Sequence, residues 1–309
     1  MNRHIEQVAR RALVERDARD DGLALDAHFA AHDDGRVSRL ALQRLFLFAA
    51  AAGGERDEHD RERTLHLVAA NQTLRALWRE RFGIDAPRKI VCVGLNYRDH
   101  AAEGGREPPD EPMLFAKFAN ALLEPGEPIV LPPDDTHFDS EAELAVAVGR
   151  GGRRIERDAA LQHVAGFTVA NDVSARNLQR KDKQWLRAKG FDTFCPLLPA
   201  LVPVSELGDA SGLRIHQRLN GETLQDGNTR DLIFDVPQLV AHASSVFTLE
   251  PGDLILTGTP AGVGVYREPP LSMQDGDQVE IEIERIGLLA NPVRAERTSP
   301  RPSAGRRVS

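Results

Sequence analysis

The sequence predicts an α+β protein, a helical N-terminal segment followed by a β-rich region. Apolar residues recur at helical spacing up to about residue 86, and after Pro87 short β-rich runs alternate with Gly and Pro. One of those runs, Asp139-Ser-Glu-Ala-Glu-Leu-Ala-Val-Ala-Val148, reads as an acidic strand.

Within the first segment Ile5, Val8, Ala12 and Leu13 share a helical face, as do Val37, Leu40, Leu45 and Phe46 before Gly53-Gly54. Leu67, Val68, Leu74, Leu77, Trp78 and Phe82 give a third amphipathic helix, stopped by Gly83. No candidate site residue falls here, so a docking or oligomer-supporting role is expected. Lys89–Val93 reads as a buried strand, and Gly104–Glu111 has the composition of a lid. Strands follow at Met113–Lys117, Ile129–Leu131 and Val164–Asn171. Asn220-Gly221 signals a type I′ hairpin, and Asp235 caps a helix running to about Val246. Leu254–Leu256 leads into the Gly-rich stretch Thr257–Gly264, and Gln278–Ile283 alternates as a strand. The expected division is 1–86 helical, 87–294 catalytic and 295–309 a disordered tail.

Composition narrows the function classes. A net charge of −8 over 309 residues opposes a nucleic-acid or anionic-membrane surface. The longest apolar run, Leu45–Ala52, is too short to span a bilayer. Two cysteines without a CxxC pattern, Cys92 and Cys195, suit a reducing compartment. The cytoplasm is the expected location, because Glu6, Glu15, Asp17 and Asp20 interrupt the Arg-rich start. The chain lacks a nucleophile-elbow serine, an HExxH and a GxGxxG, which disfavours serine hydrolases and dinucleotide enzymes.

The chemistry gathers on the acidic strand. Asp139, Glu141 and Glu143 share one strand face, and Asp172 ends the next apolar run. A solvated strand end would explain the first three. Convergence of Glu141, Glu143 and Asp172 would instead make an all-oxygen site for Mg²⁺, Mn²⁺ or Ca²⁺. His100 and Glu103 fall on one helical face, either as a surface ion pair or as a base oriented by a carboxylate. Arg176 and Gln179 would share a face with Asp172 in a helix starting there, and Lys189 lies in mostly apolar surroundings that call for a partner. The small residues of Thr257–Gly264 suit close approach to a small anion or carboxylate.

Gly94-Leu-Asn-Tyr-Arg-Asp-His100, Glu141-Ala-Glu143, Gly166-Phe-Thr-Val-Ala-Asn-Asp-Val-Ser-Ala-Arg176 and Leu256-Thr-Gly-Thr-Pro-Ala-Gly-Val-Gly264 resemble the fumarylacetoacetate hydrolase family. Phe191–Pro196 and Gly262–Pro270 look like its domain-containing protein 2 branch. The resemblance spans about residues 89–294 and implies a mixed β-sheet roll, usually homodimeric, with one Mg²⁺ or Mn²⁺ held by Glu141, Glu143 and Asp172. It also implies His100 and Glu103 as the water-activating pair, Lys189 as the catalytic lysine, and Gln179, Thr259 and Arg176 as substrate-binding residues. Lys117 matches a family position of unassigned role, and Ser140 replaces a frequent aromatic. The expected substrate is a small 2-oxo or β-diketo acid. Hydrolytic C–C cleavage through a metal-bound enolate stands first. Oxaloacetate enol–keto tautomerisation, or isomerisation or decarboxylation of a 2-hydroxydienoate, is the alternative, and a non-catalytic cation-binding module comes last.

Overall fold

The computed structural model describes residues 73–297; the helices expected before that point and the tail from 298 on lie outside the described residues, while Ala295, expected in the tail, ends a strand and pairs with Leu131. Helix α1 (Leu74–Phe82) is set by its own end signals. Thr73 accepts from the Ala76 amide at 3.2 Å, and Gly83 closes the helix at φ 70°. Leu77 and Trp78 are buried, and the Trp78 indole donates to the Gly252 carbonyl at 2.8 Å. This helix therefore packs directly onto the β-rich region.

Next come β1 (Ile90–Gly94), α2 (Arg98–Glu103), β2 (Met113–Lys117), β3 (Leu122–Leu123) and β4 (Ile129–Leu131). Strands β5 (Phe138–Asp139), β6 (Ala142–Val148), β7 (Val164–Asn171) and β8 (Ser174–Ala175) lead into α3 (Arg176–Asp182) and α4 (Leu186–Lys189). After β9 (Cys195–Pro196), β10 (Val202–Pro203) and α5 (Val204–Leu207), a hairpin forms from β11 (Arg214–Leu219) and β12 (Glu222–Asn228). Its turn residues Asn220 and Gly221 both have positive φ, as a type I′ turn requires. Helix α6 (Val236–Val246), β13 (Leu254–Leu256), β14 (Gln278–Ile283) and β15 (Gly287–Ala295) complete the described chain.

The strands form a six-stranded mixed sheet, β10-β7-β6-β13-β1-β2, and a five-stranded sheet, β12-β11-β14-β15-β4. Two further short pairs form, β3–β9 and β5–β8. The two sheets face each other, with β11 against β6 and β14 and β15 against β7. Strand β6 is central and buried along its whole length. Leu144, Val146 and Val148 enter the core between the sheets, with Phe167, Ile215 and Ile281. On its other face Ala145 and Ala147 join Trp78, Cys92 and Leu254 in a second core. The small residues there leave room for α1.

Two local expectations change. The acidic run is not one strand: it breaks at Ser140–Glu141, where Asn171 Oδ1 accepts from both Ser140 Oγ and the Glu141 amide at 3.1 Å. A side chain there takes the place of the ladder, so Asp139, Glu141 and Glu143 do not share one continuous pleat. The helix expected from Asp172 begins at Arg176, after the β8 bridge to Phe138–Asp139. Asp172 thus stands at the strand end, not on the helix.

Trp78 fills the second core, so Trp78→Ala is expected to cost about 3–5 kcal/mol in chemical denaturation. A loss below about 1 kcal/mol would mean that α1 is dispensable to this core.

Candidate active site and metal centre

Three acids meet where β6, the end of β7 and the β5–β6 break converge. Glu141, Glu143 and Asp172 are buried, and each offers an oxygen within 4.8 Å of the others'. Three basic groups surround them. Lys189 Nζ lies 2.7 Å from both Glu141 Oε2 and Asp172 Oδ2. Arg176 Nη2 lies 2.6 Å from Glu141 Oε1 and 3.0 Å from Asp139 Oδ2. Lys117 donates to the carbonyls of Val173, Lys189 and Phe194 at 3.1, 2.6 and 2.8 Å. Its ammonium also lies 2.7 Å from Asp172 Oδ1, but as an ion pair only, so that oxygen accepts no hydrogen bond.

These contacts fix the charge states. Burial alone would raise the pKa of Glu141, yet Lys189 and Arg176 hold it well below the usual carboxylate range. Burial opposes the charge of Lys189, but Asp172 and Glu141 outweigh it and keep the ammonium charged. Glu143 goes the other way. Burial, then the negative charges of Asp172 and Glu141, push it well above the usual range. Four buried acids, Asp139 included, face three buried bases, and Glu143 is the one pushed toward its neutral form.

The donor set fits a hard divalent cation. All three donors are carboxylates, Asp172 Oδ1 lacks a hydrogen bond, and the cluster is one positive charge short. Glu141, Glu143 and Asp172 are the residues that would hold it.

Of the nine residues expected to form the site, all except Glu103 line one cavity of about 280 Å³. Glu103 stands behind His100, with its Oε2 3.2 Å from His100 Nδ1 and its Oε1 accepting from the Gly262 amide at 2.9 Å. Gln179 Oε1 accepts from Arg176 Nη1 at 3.0 Å. Arginine can only donate, so the amide oxygen is committed and the NH₂ group remains as a donor. Arg176 itself is engaged by Asp139 and Glu141.

The Gly-rich stretch Thr257–Gly264 does receive carboxylates, but they are the chain's own. The Gly258 amide donates to Glu143 Oε2 at 2.7 Å, Gly262 to Glu103, and Gly264 to Asp139 Oδ1 at 2.8 Å. At Gly258, φ is +97° and a Cβ would come within 2.9 Å of Asn96. At Gly262, φ is +104° and a Cβ would reach 2.1 Å from the Leu224 carbonyl.

Sequence reasoning missed several residues. Gln225, fully buried on β12, bonds the Ala142 amide and Thr259. Arg106, Arg180, Trp185 and Tyr266 also line the cavity. The Tyr266 ring lies 5.9 Å from that of His100, and its hydroxyl fills the space a Cβ on Gly104 would need, at the base of the expected lid. Cys92 and Cys195 are free and buried, and burial pushes the Cys195 thiol up to about 12.

Residues 89–294 match the sequence profile described as fumarylacetoacetate (FAA) hydrolase C-terminal. The oxaloacetate tautomerase FAHD2A, mitochondrial, of Bos taurus is 50% identical over 212 residues, covering 68% of each chain. The solved 2-hydroxyhepta-2,4-diene-1,7-dioate isomerase of Mycobacterium marinum is 42% identical with a TM-score of 0.61, over 69% of this chain and 76% of that one. A fumarylpyruvate hydrolase of Pseudomonas aeruginosa, solved with Mn²⁺ and pyruvate, is 33% identical with a TM-score of 0.63, over 68% of this chain and 91% of that one.

The cytoplasmic expectation is overturned by these relatives, since the bovine tautomerase and its human counterpart are mitochondrial. Reduced cysteines and a net charge of −8 suit the mitochondrial matrix as well as the cytosol, so they could not separate the two. Among the described residues no helix is long and apolar enough to cross a membrane.

Because Glu143 binds a proton more tightly folded than unfolded, it stabilises the cation-free protein below the unfolded glutamate pKa of about 4.3. That contribution fades as pH rises through the higher folded value. The melting temperature without cation is expected to fall over that window, and Glu143→Gln to remove the slope. Calorimetry of wild type with Mg²⁺ should register proton release and weaker binding at lower pH. Binding of Mg²⁺ by Glu143→Gln with wild-type affinity would contradict the assignment. The matched profile, the α+β fold and the relatives lead to one conclusion: this chain is a member of the fumarylacetoacetate hydrolase family.

Proposed function

We propose that the chain is a divalent-cation-dependent tautomerase of 2-oxo acids, converting the enol and keto forms of an oxaloacetate-like substrate. The observation that carries the reading is the oriented His100–Glu103 pair at 3.2 Å beside a cavity floored by three carboxylates. The identity to oxaloacetate tautomerases favours this reaction over the C–C hydrolysis placed first from sequence.

Bound by Glu141, Glu143 and Asp172, Mg²⁺ or Mn²⁺ would supply Lewis-acid stabilisation of negative charge on the substrate oxygens. Lys189, locked as an ammonium by Asp172 and Glu141, serves as fixed positive charge and not as a base. Gln179 presents its NH₂ and Thr259 its hydroxyl to the substrate anion. His100 is the group that moves the proton, with Glu103 fixing its ring and the Gly262 amide fixing Glu103. Tautomerisation needs only this relocation. A homodimer, implied by the family resemblance, belongs to the same proposal.

Hydrolysis remains as a second reading, because the intact His100–Glu103 pair can also activate water. Enol-oxaloacetate and acetylpyruvate, each supplied with Mg²⁺, separate the two. The expected result is fast loss of the enol absorbance with no C–C cleavage. Pyruvate and acetate formed from acetylpyruvate would install the hydrolase.

His100→Ala and Glu103→Ala should each lower turnover by roughly 10²–10⁴-fold, the usual contribution of a positioned base. The double variant should lose little more than either single one. Additive losses would mean that the two residues act independently.

A further inference from the structure

Gln225 belongs to the second sheet and has no part in the chemistry above, yet it reaches the site. A bulge brings it there. Gln217 and Arg218, adjacent on β11, pair with Gln225 and Thr223, so Leu224 is an extra residue in β12. Leu224 and Gln225 are both buried beside this bulge.

The orientation of the Gln225 amide follows from its neighbours. The Ala142 amide, lying between Glu141 and Glu143, can only donate, so the group 2.9 Å from it is Gln225 Oε1. The Pro260 carbonyl can only accept, so the group 2.7 Å from it is Nε2. The remaining proton of that NH₂ points at Thr259 Oγ1, also 2.7 Å away. Thr259 must therefore accept there. Its own O–H donates to no described protein group, and its side chain lines the cavity.

We infer that Gln225 is a positioning residue that fixes the Thr259 hydroxyl as a hydrogen-bond donor to the substrate's anionic oxygen. Rotation of the hydroxyl toward Gln225 would set hydrogen against hydrogen, so the donor is pre-aimed before substrate arrives. The same amide clamps the backbone between two metal-ligand candidates to the loop that carries Thr259, and so holds the donor at a constant distance from them. The inference rests on the reading of this cavity as an anion-binding site.

A double-mutant cycle tests it with two readouts, kcat/KM for enol-oxaloacetate and calorimetric affinity for oxalate, both with Mg²⁺. Thr259→Val should weaken each by about tenfold, the scale of one hydrogen bond to a charged group, and Thr259→Ser should restore most of it. In a Gln225→Leu background the Thr259→Val step should shrink to about twofold or less, because the hydroxyl is no longer aimed. If Gln225→Leu does not fold, Gln225→Glu keeps the acceptor for Ala142 but cannot supply both donated protons, and the same shrinkage is expected. A full tenfold step in either background would overturn the inference. Wild-type protein that binds oxalate but does not convert enol-oxaloacetate would refute the tautomerase reading alone, since the oxalate cycle still decides the role of Gln225.

Discussion

The structure turns on burying four carboxylates with three cations. Asp139, Glu141, Glu143 and Asp172 are nearly inaccessible, and Lys117, Lys189 and Arg176 are placed among them with little exposure. Like charges within a few ångströms in a low-dielectric interior cannot all ionise unaided. The chain answers with a division of labour. Glu141 stays ionised between Lys189 and Arg176, and Asp172 sits 2.7 Å from both Lys117 and Lys189. Glu143, whose one described hydrogen bond comes from the Gly258 amide, is the acid pushed toward its neutral form. A cavity that lacks one positive charge at its floor is suited to recruit a divalent cation.

That constraint reaches the rest of the site through one loop. Between Gly258 and Val265, backbone amides hold Glu143, Glu103 and Asp139. One short segment thus joins the buried acid cluster to the His100–Glu103 pair and to the ion pair of Arg176. Its left-handed glycines and its close approach to the bulged β12 leave it little freedom. Each amide donates to a carboxyl oxygen, and such a bond is about twice as strong as a neutral one where the carboxyl is ionised. A displacement at one acid would move the others.

Much of this was legible in the sequence where a residue's chemistry is unusual for its surroundings. A lysine in an apolar stretch, Lys189, had to find partners, and it found Glu141 and Asp172. The i, i+3 spacing of His100 and Glu103 survived because α2 forms where the polar run suggests. The Asn220-Gly221 turn set its hairpin register directly. What stayed hidden depends on contacts far apart in sequence. Alternation places Asp139, Glu141 and Glu143 on one face, but the Asn171 side chain interrupts the strand from 30 residues away. Nothing local marks Leu224 as a bulge, so the entry of Gln225 into the site could not be read. Lys117 gives no pattern of its own, because its three carbonyl partners lie 56 to 77 residues downstream.

The central claim is that the buried acids form a cation site. A crystal grown with Mn²⁺ and oxalate, with data collected at the manganese absorption edge, tests it directly. The account predicts one strong anomalous peak in the cavity, coordinated by Glu141, Glu143 and Asp172, with oxalate beside Thr259 and Gln179. No peak there, or a peak coordinated by other residues while Lys189 keeps bridging Glu141 and Asp172, would contradict it.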